Sequence, residues 1–191
     1  MGSVTHGIPR DLCLALKSAS GIKSFVETGT NAGASAAWAA SAFDKVITIE
    51  AEPALFVQAT ENLSVHPNIK VELGNSPHVL FSLSHELPES IFWLDAHWGG
   101  EGNARIETEC PVLREIHALN TRREPDVILV DDARLFLRPP MAPHNPDEWP
   151  DVAAVFWALN DSGRRYVVVV DDVIVAVPMI YRRFLVNHLR R

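Results

Sequence analysis

Phe25-Val26-Glu27-Thr28-Gly29-Thr30-Asn31-Ala32-Gly33-Ala34-Ser35 reads as an apolar strand, an acid at its tip, a glycine-bearing turn and the first turn of an alanine-rich helix. Glycine has no Cβ and tolerates positive φ, so Gly29 and Gly33 let a ligand approach the backbone. The helix that follows offers unpaired N–H groups and a partial positive charge to an anion. About twenty residues on, Val46-Ile47-Thr48-Ile49 forms a second strand ending in Glu50, where a carboxylate meets ribose hydroxyls. Together these segments make a nucleoside-binding βαβ unit.

The rest of the chain extends that unit. Leu12, Ala15 and Leu16 mark a leading helix within residues 8–18. The first strand runs from about Lys23 to Glu27, and six alanines between Gly33 and Phe43 let the next helix pack closely on strands. Pro53 suits a helix start, and Leu55, Phe56, Ala59 and Leu63 give that helix an apolar face. A third strand, Ile69 to Leu73, leads through Gly74-Asn75-Ser76 into a short helix ending at Leu83, and a fourth, Ile91 to Leu94, ends in Asp95-Ala96-His97-Trp98. Val112, Leu113, Ile116 and Leu119 mark another amphipathic helix before a fifth strand, Val127 to Val130, which ends in Asp131-Asp132. After a proline-rich loop, Val152, Val155, Phe156 and Leu159 fall at helical spacing. Two final strands, Tyr166 to Val170 and Val173 to Val177, flank Asp171-Asp172. Two residues cannot carry a parallel crossover, so these last strands form an antiparallel hairpin whose turn is Asp171-Asp172. Alternating strands and helices imply a mostly parallel sheet with helices on both faces.

The whole chain, 191 residues with 47% hydrophobic and 21% charged content, reads as one α/β domain, residues 1–191. A net charge of −7 argues against nucleic acid as a partner, because phosphate backbones call for a basic surface. Cys13 and Cys110 are too few for a disulfide framework and have no metal spacing, so both read as reduced thiols. With no apolar run of membrane-spanning length and no basic-then-apolar leader, the expected compartment is the cytoplasm and no membrane partner is expected.

Five parallel strands followed by a hairpin resemble the class I S-adenosylmethionine-dependent methyltransferases, a Rossmann-like fold with a seven-stranded sheet. Glu27 to Gly33 is similar to that family's first motif, an acid followed by glycines at alternate positions, with Asn31 in the middle place. Asn enters left-handed φ more readily than other residues bearing a Cβ. The dehydrogenase pattern fits worse, since it wants glycine where Asn31 and Ala34 stand. The resemblance implies that Glu27, Thr28, Gly29, Thr30, Asn31, Gly33 and Ser35 hold the methionine end of S-adenosylmethionine. It implies that Glu50 and Ala51 hold the ribose, that Asn75 and Ser76 hold the adenine, and that Asp95 also contacts the cofactor.

Within that class the chain resembles small metal-dependent O-methyltransferases of the catechol and macrocin type. In these, an acid after the fourth strand and two oxygen donors after the fifth hold a divalent ion. The matching residues are Asp95, Asp131 and Asp132, a hard-oxygen set suited to Mg²⁺. The acceptor so implied is the hydroxyl of a small molecule or sugar, with Asp95 and His97 as the catalytic residues and His97 as the base. Arg134 reads either as a substrate contact or as an offset to the acidic pair, Trp93 as core and Trp98 as cleft lining. The remaining histidines, His144 among them, read as surface or capping residues. Loops 99–108 and 137–150 are the segments able to cover the cleft, and a homodimer is possible if a second copy supplies a lid. The rival readings are another enzyme on the same scaffold, an NAD-dependent oxidoreductase or hydroxylase-like relative, and a non-catalytic nucleoside-binding relative.

Overall fold

The computed structural model describes residues 7–98 and 107–190. Its elements are α1 (Arg10–Ser20), β1 (Ser24–Thr28), α2 (Ala34–Ala42), β2 (Lys45–Glu50), α3 (Pro53–Leu63), β3 (Ile69–Leu73), α4 (Ser76–Leu83), β4 (Ser90–Leu94), α5 (Val112–Asn120), β5 (Val127–Val130), α6 (Val152–Asn160), β6 (Arg165–Val170), β7 (Val173–Pro178) and α7 (Arg182–His188). They build a seven-stranded sheet in the order β3-β2-β1-β4-β5-β7-β6. β1 to β5 pair in parallel, whereas β7 runs antiparallel to both β5 and β6. The hairpin expected from the two-residue connection is present, and Asp171 turns it in the left-handed region at φ 54°.

Side chains of the central strands point alternately into two cores, as a strand's period of two requires. Val26, Phe92, Leu94, Ile128 and Val130 face one side, where Leu80 of α4, Ile116 and Leu119 of α5, and Val155 and Leu159 of α6 cover them. Phe25, Ile91, Trp93, Val127 and Leu129 face the other, beneath Leu12 and Leu16 of α1, Ala36 and Ala39 of α2, Leu63 of α3 and Leu185 of α7. Trp93 is therefore core, as its place in the strand implied. The alanines of α2 let its backbone come close to the sheet, and the gap at its end is filled by Phe43 tilted against Phe25, ring centroids 5.3 Å apart.

The direction of strand order reverses between β1 and β4, so the loops after β1 and β4 diverge onto opposite faces and leave a crevice at the strands' carboxyl ends. That crevice is where the acids at the strand tips meet.

Candidate active site

The turn after β1 is bent by left-handed residues, Gly29 at φ 82° and Asn31 at φ 48°. The asparagine adopts the conformation that its substitution for glycine required. A Cβ on Gly29 would lie 2.4 Å from the carbonyl oxygen of Asp95, so the β1 and β4 turns touch backbone to backbone. The Asp95 N–H donates to the Thr28 carbonyl at 3.1 Å and holds them together.

Glu50 ties the β1 and β2 turns in the same way. Its Oε2 accepts the Asn31 N–H at 2.8 Å, and Oε1 accepts those of Ala51 at 2.9 Å and Glu52 at 3.0 Å. A carboxylate offers about four lone-pair sites, so one remains for a ligand hydroxyl.

Between these turns lies a cavity of about 220 Å³. Gly29, Asn31, Glu50 and Ala51 line one side, Asn75 and Ser76 a second, and Asp95 and His97 a third. Thr28, Thr30, Gly33, Ser35 and Glu27 do not line the cavity. The Glu27 carboxyl is buried, accepts the Thr48 hydroxyl at 2.7 Å and is also hydrogen-bonded by Ser35, so it braces β1 against β2 and α2.

Burial pushes Glu27 up to about 8 from an ordinary 4.5. The folded chain then binds this proton more tightly than the unfolded one, so stability falls as pH rises through that window. Glu27→Gln keeps the acceptor for Thr48 and removes the titration. In the ligand-free protein its Tm is expected to exceed wild type by about 3–6 °C at pH 8 and to match it within about 1 °C at pH 4.5, read by thermal unfolding. An unchanged difference across that range would show that Glu27 is ionised throughout.

β4 and β5 are neighbours, which brings Asp95 beside Asp131 and Asp132. His97 stands among them: its Nε2 is 2.9 Å from Oδ2 of Asp132 and its Nδ1 is 3.6 Å from Oδ1 of Asp95. Asp132 sits at φ 56°, which turns its carboxylate towards the imidazole, and the Arg134 guanidinium pairs with its other oxygen. Arg134 pairs in turn with Asp172, whose Oδ1 also accepts the Arg134 N–H at 2.9 Å. Asp171-Asp172 is thus a turn, as expected, but buried Asp172 also anchors the loop after β5, and Arg134 offsets the acidic pair.

Burial pushes Asp95 up to about 7, with Asp131 and Asp132 adding to the rise, and burial takes Asp131 up to about 6. Burial would raise Asp132 too, but the His97 hydrogen bond and the nearby Arg134 hold it below the usual carboxylate range. For His97 burial acts downward, yet the Asp132 hydrogen bond and the Asp95 charge carry the imidazole above its ordinary value.

This arrangement does not confirm the metal expectation. Among the described residues, no group of three or more His, Cys, Asp or Glu stands where it could hold a metal ion. The physical reason is that the imidazole of His97 lies between Asp95 and Asp132 while Arg134 occupies the remaining Asp132 oxygen. Asp95, Asp131 and Asp132 have the right donor chemistry for Mg²⁺, but as disposed, with His97 between two of them and Arg134 on Asp132, they do not form a ligand set for the ion.

Near the site, buried Glu109 and Glu115 and the anchoring role of Asp172 were not picked out from the sequence. Glu109 accepts the Asn145 N–H at 3.0 Å and the Trp149 indole N–H at 2.9 Å, and lies 3.2 Å from Nδ1 of His144. It fastens part of the 137–150 loop beside the site, where Trp149 packs on His97 with centroids 5.6 Å apart and His144 on Trp98 at 5.4 Å. His144 therefore belongs to an aromatic cluster and is not a surface or capping residue. Most of the other covering loop, 99–106, lies outside the described residues. Glu115 had a signal: it falls between Val112 and Ile116 on the buried stripe of α5, whereas Leu113 points outward.

No protein-family model matches the sequence, and no curated protein matches it. The strand order and the crevice define a Rossmann-like methyltransferase fold. Solved structures agree: a protein from Klebsiella pneumoniae assigned as an O-methyltransferase is 18% identical with a TM-score of 0.68, over 93% of this chain and 83% of that one. The O-methyltransferase from Bacillus cereus, in complex with S-adenosylhomocysteine, is 17% identical with a TM-score of 0.66, over 91% and 83%. A Podospora anserina methyltransferase bound to S-adenosylhomocysteine is 16% identical with a TM-score of 0.54, over 87% and 76%. No helix among the described residues is long and apolar enough to cross a membrane.

Proposed function

We propose that this chain moves a methyl group from S-adenosylmethionine to a hydroxyl of a small molecule or sugar, with His97 as the general base. The observation that carries this reading is the single cavity bounded by Gly29, Asn31 and Glu50 on one side and by His97 with Asp95 on another. The first set suits a nucleoside: close backbone approach at Gly29 and a remaining acceptor on Glu50 for ribose. The second set suits deprotonation.

S-adenosylmethionine supplies an electrophilic methyl on a sulfonium. His97 donates from Nε2 to Asp132, which leaves the Nδ1 lone pair free to accept a proton. As the acceptor oxygen forms its bond to the methyl carbon, the carbon–sulfur electron pair departs with sulfur and the hydroxyl proton passes to Nδ1. The imidazolium so formed is stabilised by Asp132 and Asp95 on either side. Trp149 and Trp98, held by Glu109, limit water at this end. No step here is routed through the Mg²⁺ that the family resemblance implies, because the acids as disposed do not form a ligand set for it.

Calorimetry with S-adenosylhomocysteine and NAD⁺ tests the reading, followed by transfer of labelled methyl to a panel of phenols, alcohols and sugars. Micromolar S-adenosylhomocysteine binding, no NAD⁺ binding and label in a hydroxylated acceptor are expected. Binding of NAD⁺ alone would move the chain to the oxidoreductases. Binding of S-adenosylhomocysteine without transfer to any acceptor would make it a nucleoside-binding relative.

A further inference from the structure

Glu115 lies on the buried stripe of α5 between Val112 and Ile116, with 1% of its surface exposed. A carboxyl in such a place is costly unless hydrogen bonds meet it. Two hydroxyls do: Ser76 donates to Oε1 at 2.5 Å, and Thr28 also bonds the carboxyl. These partners belong to different walls of the crevice. Thr28 ends β1 and directly precedes Gly29, whereas Ser76 opens α4 and lines the cavity. The main cavity is not lined by Glu115 itself.

We propose that Glu115 is a positioning residue for the nucleoside: it cross-links the β1 turn to the start of α4 and so fixes the width of the slot between Gly29 and Asn75-Ser76. An apolar side chain at this place would satisfy α5's packing equally well. What only a double acceptor provides is a shared anchor for two hydroxyls on separate elements. This inference rests on the reading that the crevice takes S-adenosylmethionine.

The test is S-adenosylhomocysteine affinity, by calorimetry on the full chain, beside thermal unfolding. Glu115→Leu fills the volume without the acceptors and is expected to raise Kd about tenfold, the loss of one to two hydrogen bonds' worth of preorganisation. Glu115→Gln accepts from Ser76 through its oxygen and donates to Thr28 through its amide, and is expected to return Kd to within about threefold of wild type. Thr28→Val removes the other half of the link without entering the cavity. Combined with Glu115→Leu it is expected to weaken binding no further than Glu115→Leu alone.

A merely structural role would lower Tm and leave the affinity of the folded protein unchanged, and that result overturns the inference. Additive losses in the double variant overturn it as well. If Glu115→Leu does not fold, Thr28→Val with wild-type affinity overturns it, and Thr28→Val with about tenfold weaker binding supports it. Absence of S-adenosylhomocysteine binding in wild type overturns the reading of the crevice itself, which separates the two failures.

Discussion

Gly29→Ala is expected to abolish measurable S-adenosylhomocysteine binding. The residue stands at φ 82°, where a side chain costs roughly 1–2 kcal/mol of strain. The larger effect is steric. The new Cβ would fall 2.4 Å from the Asp95 carbonyl oxygen, 2.8 Å from its carbon and 3.1 Å from Cα of Ala96. All three atoms are backbone, so no side chain can swing aside. The β1 and β4 turns must separate, which stretches the Asp95 N–H to Thr28 carbonyl bond and moves Asp95 and His97 relative to Glu50. A Kd weakened more than about 100-fold is expected by calorimetry, with Tm lower by about 4–10 °C. Asn31→Gly is the control: the position already uses left-handed φ, so affinity within about threefold of wild type is expected. If Gly29→Ala binds like wild type, contact between the two turns does not shape the crevice.

His97→Gln is expected to reduce methyl transfer by about 10²–10⁴-fold while leaving S-adenosylhomocysteine affinity within about threefold. Glutamine retains size and polarity but cannot accept a proton at neutral pH. Asp132→Asn attacks the same step indirectly, by withdrawing the acceptor that holds hydrogen on Nε2 and by leaving the imidazolium with one less counter-charge. The pH dependence follows from the direction of the shift. His97 sits above the ordinary imidazole value and must be deprotonated to act, so single-turnover rates rise with pH through that raised value and fall on the acid side. Because the acids, with His97 and Arg134 on them, do not form a ligand set for an ion, EDTA is expected to leave the rate unchanged. Full turnover in His97→Gln, or loss of turnover on chelation, would overturn the assignment.

The sheet, the hairpin and the crevice were legible because each depends on local signals: strand-tip acids, a two-residue turn and glycine spacing. Asn31 shows how fine that legibility is, since the residue type named both the turn and its φ. The charge cluster was legible only as a set of oxygens. What decided its chemistry was the direction of side chains: Asp132 at φ 56° faces His97, and no spacing rule specifies that. Glu109 and His144 meet across 35 positions, and Asp172 meets Arg134 across 38, so neither pair leaves a pattern along the chain. Glu115 is different. The stripe through Val112, Ile116 and Leu119 contained it all along, and reading Leu113 into that stripe hid an acid facing inward.

Reversal of β7 carries a consequence for how the molecule is made. Since β7 begins where β5 ends, the tip of the final hairpin comes to lie against Asp131 and Asp132, with Val130 opposite Ile174. Asp172 can therefore grip Arg134 only once the 38 positions that separate them have been synthesised. All the residues that line the cavity, from Gly29 to Pro111, precede Asp172 in the chain, so its walls are made before the clasp on the loop after β5.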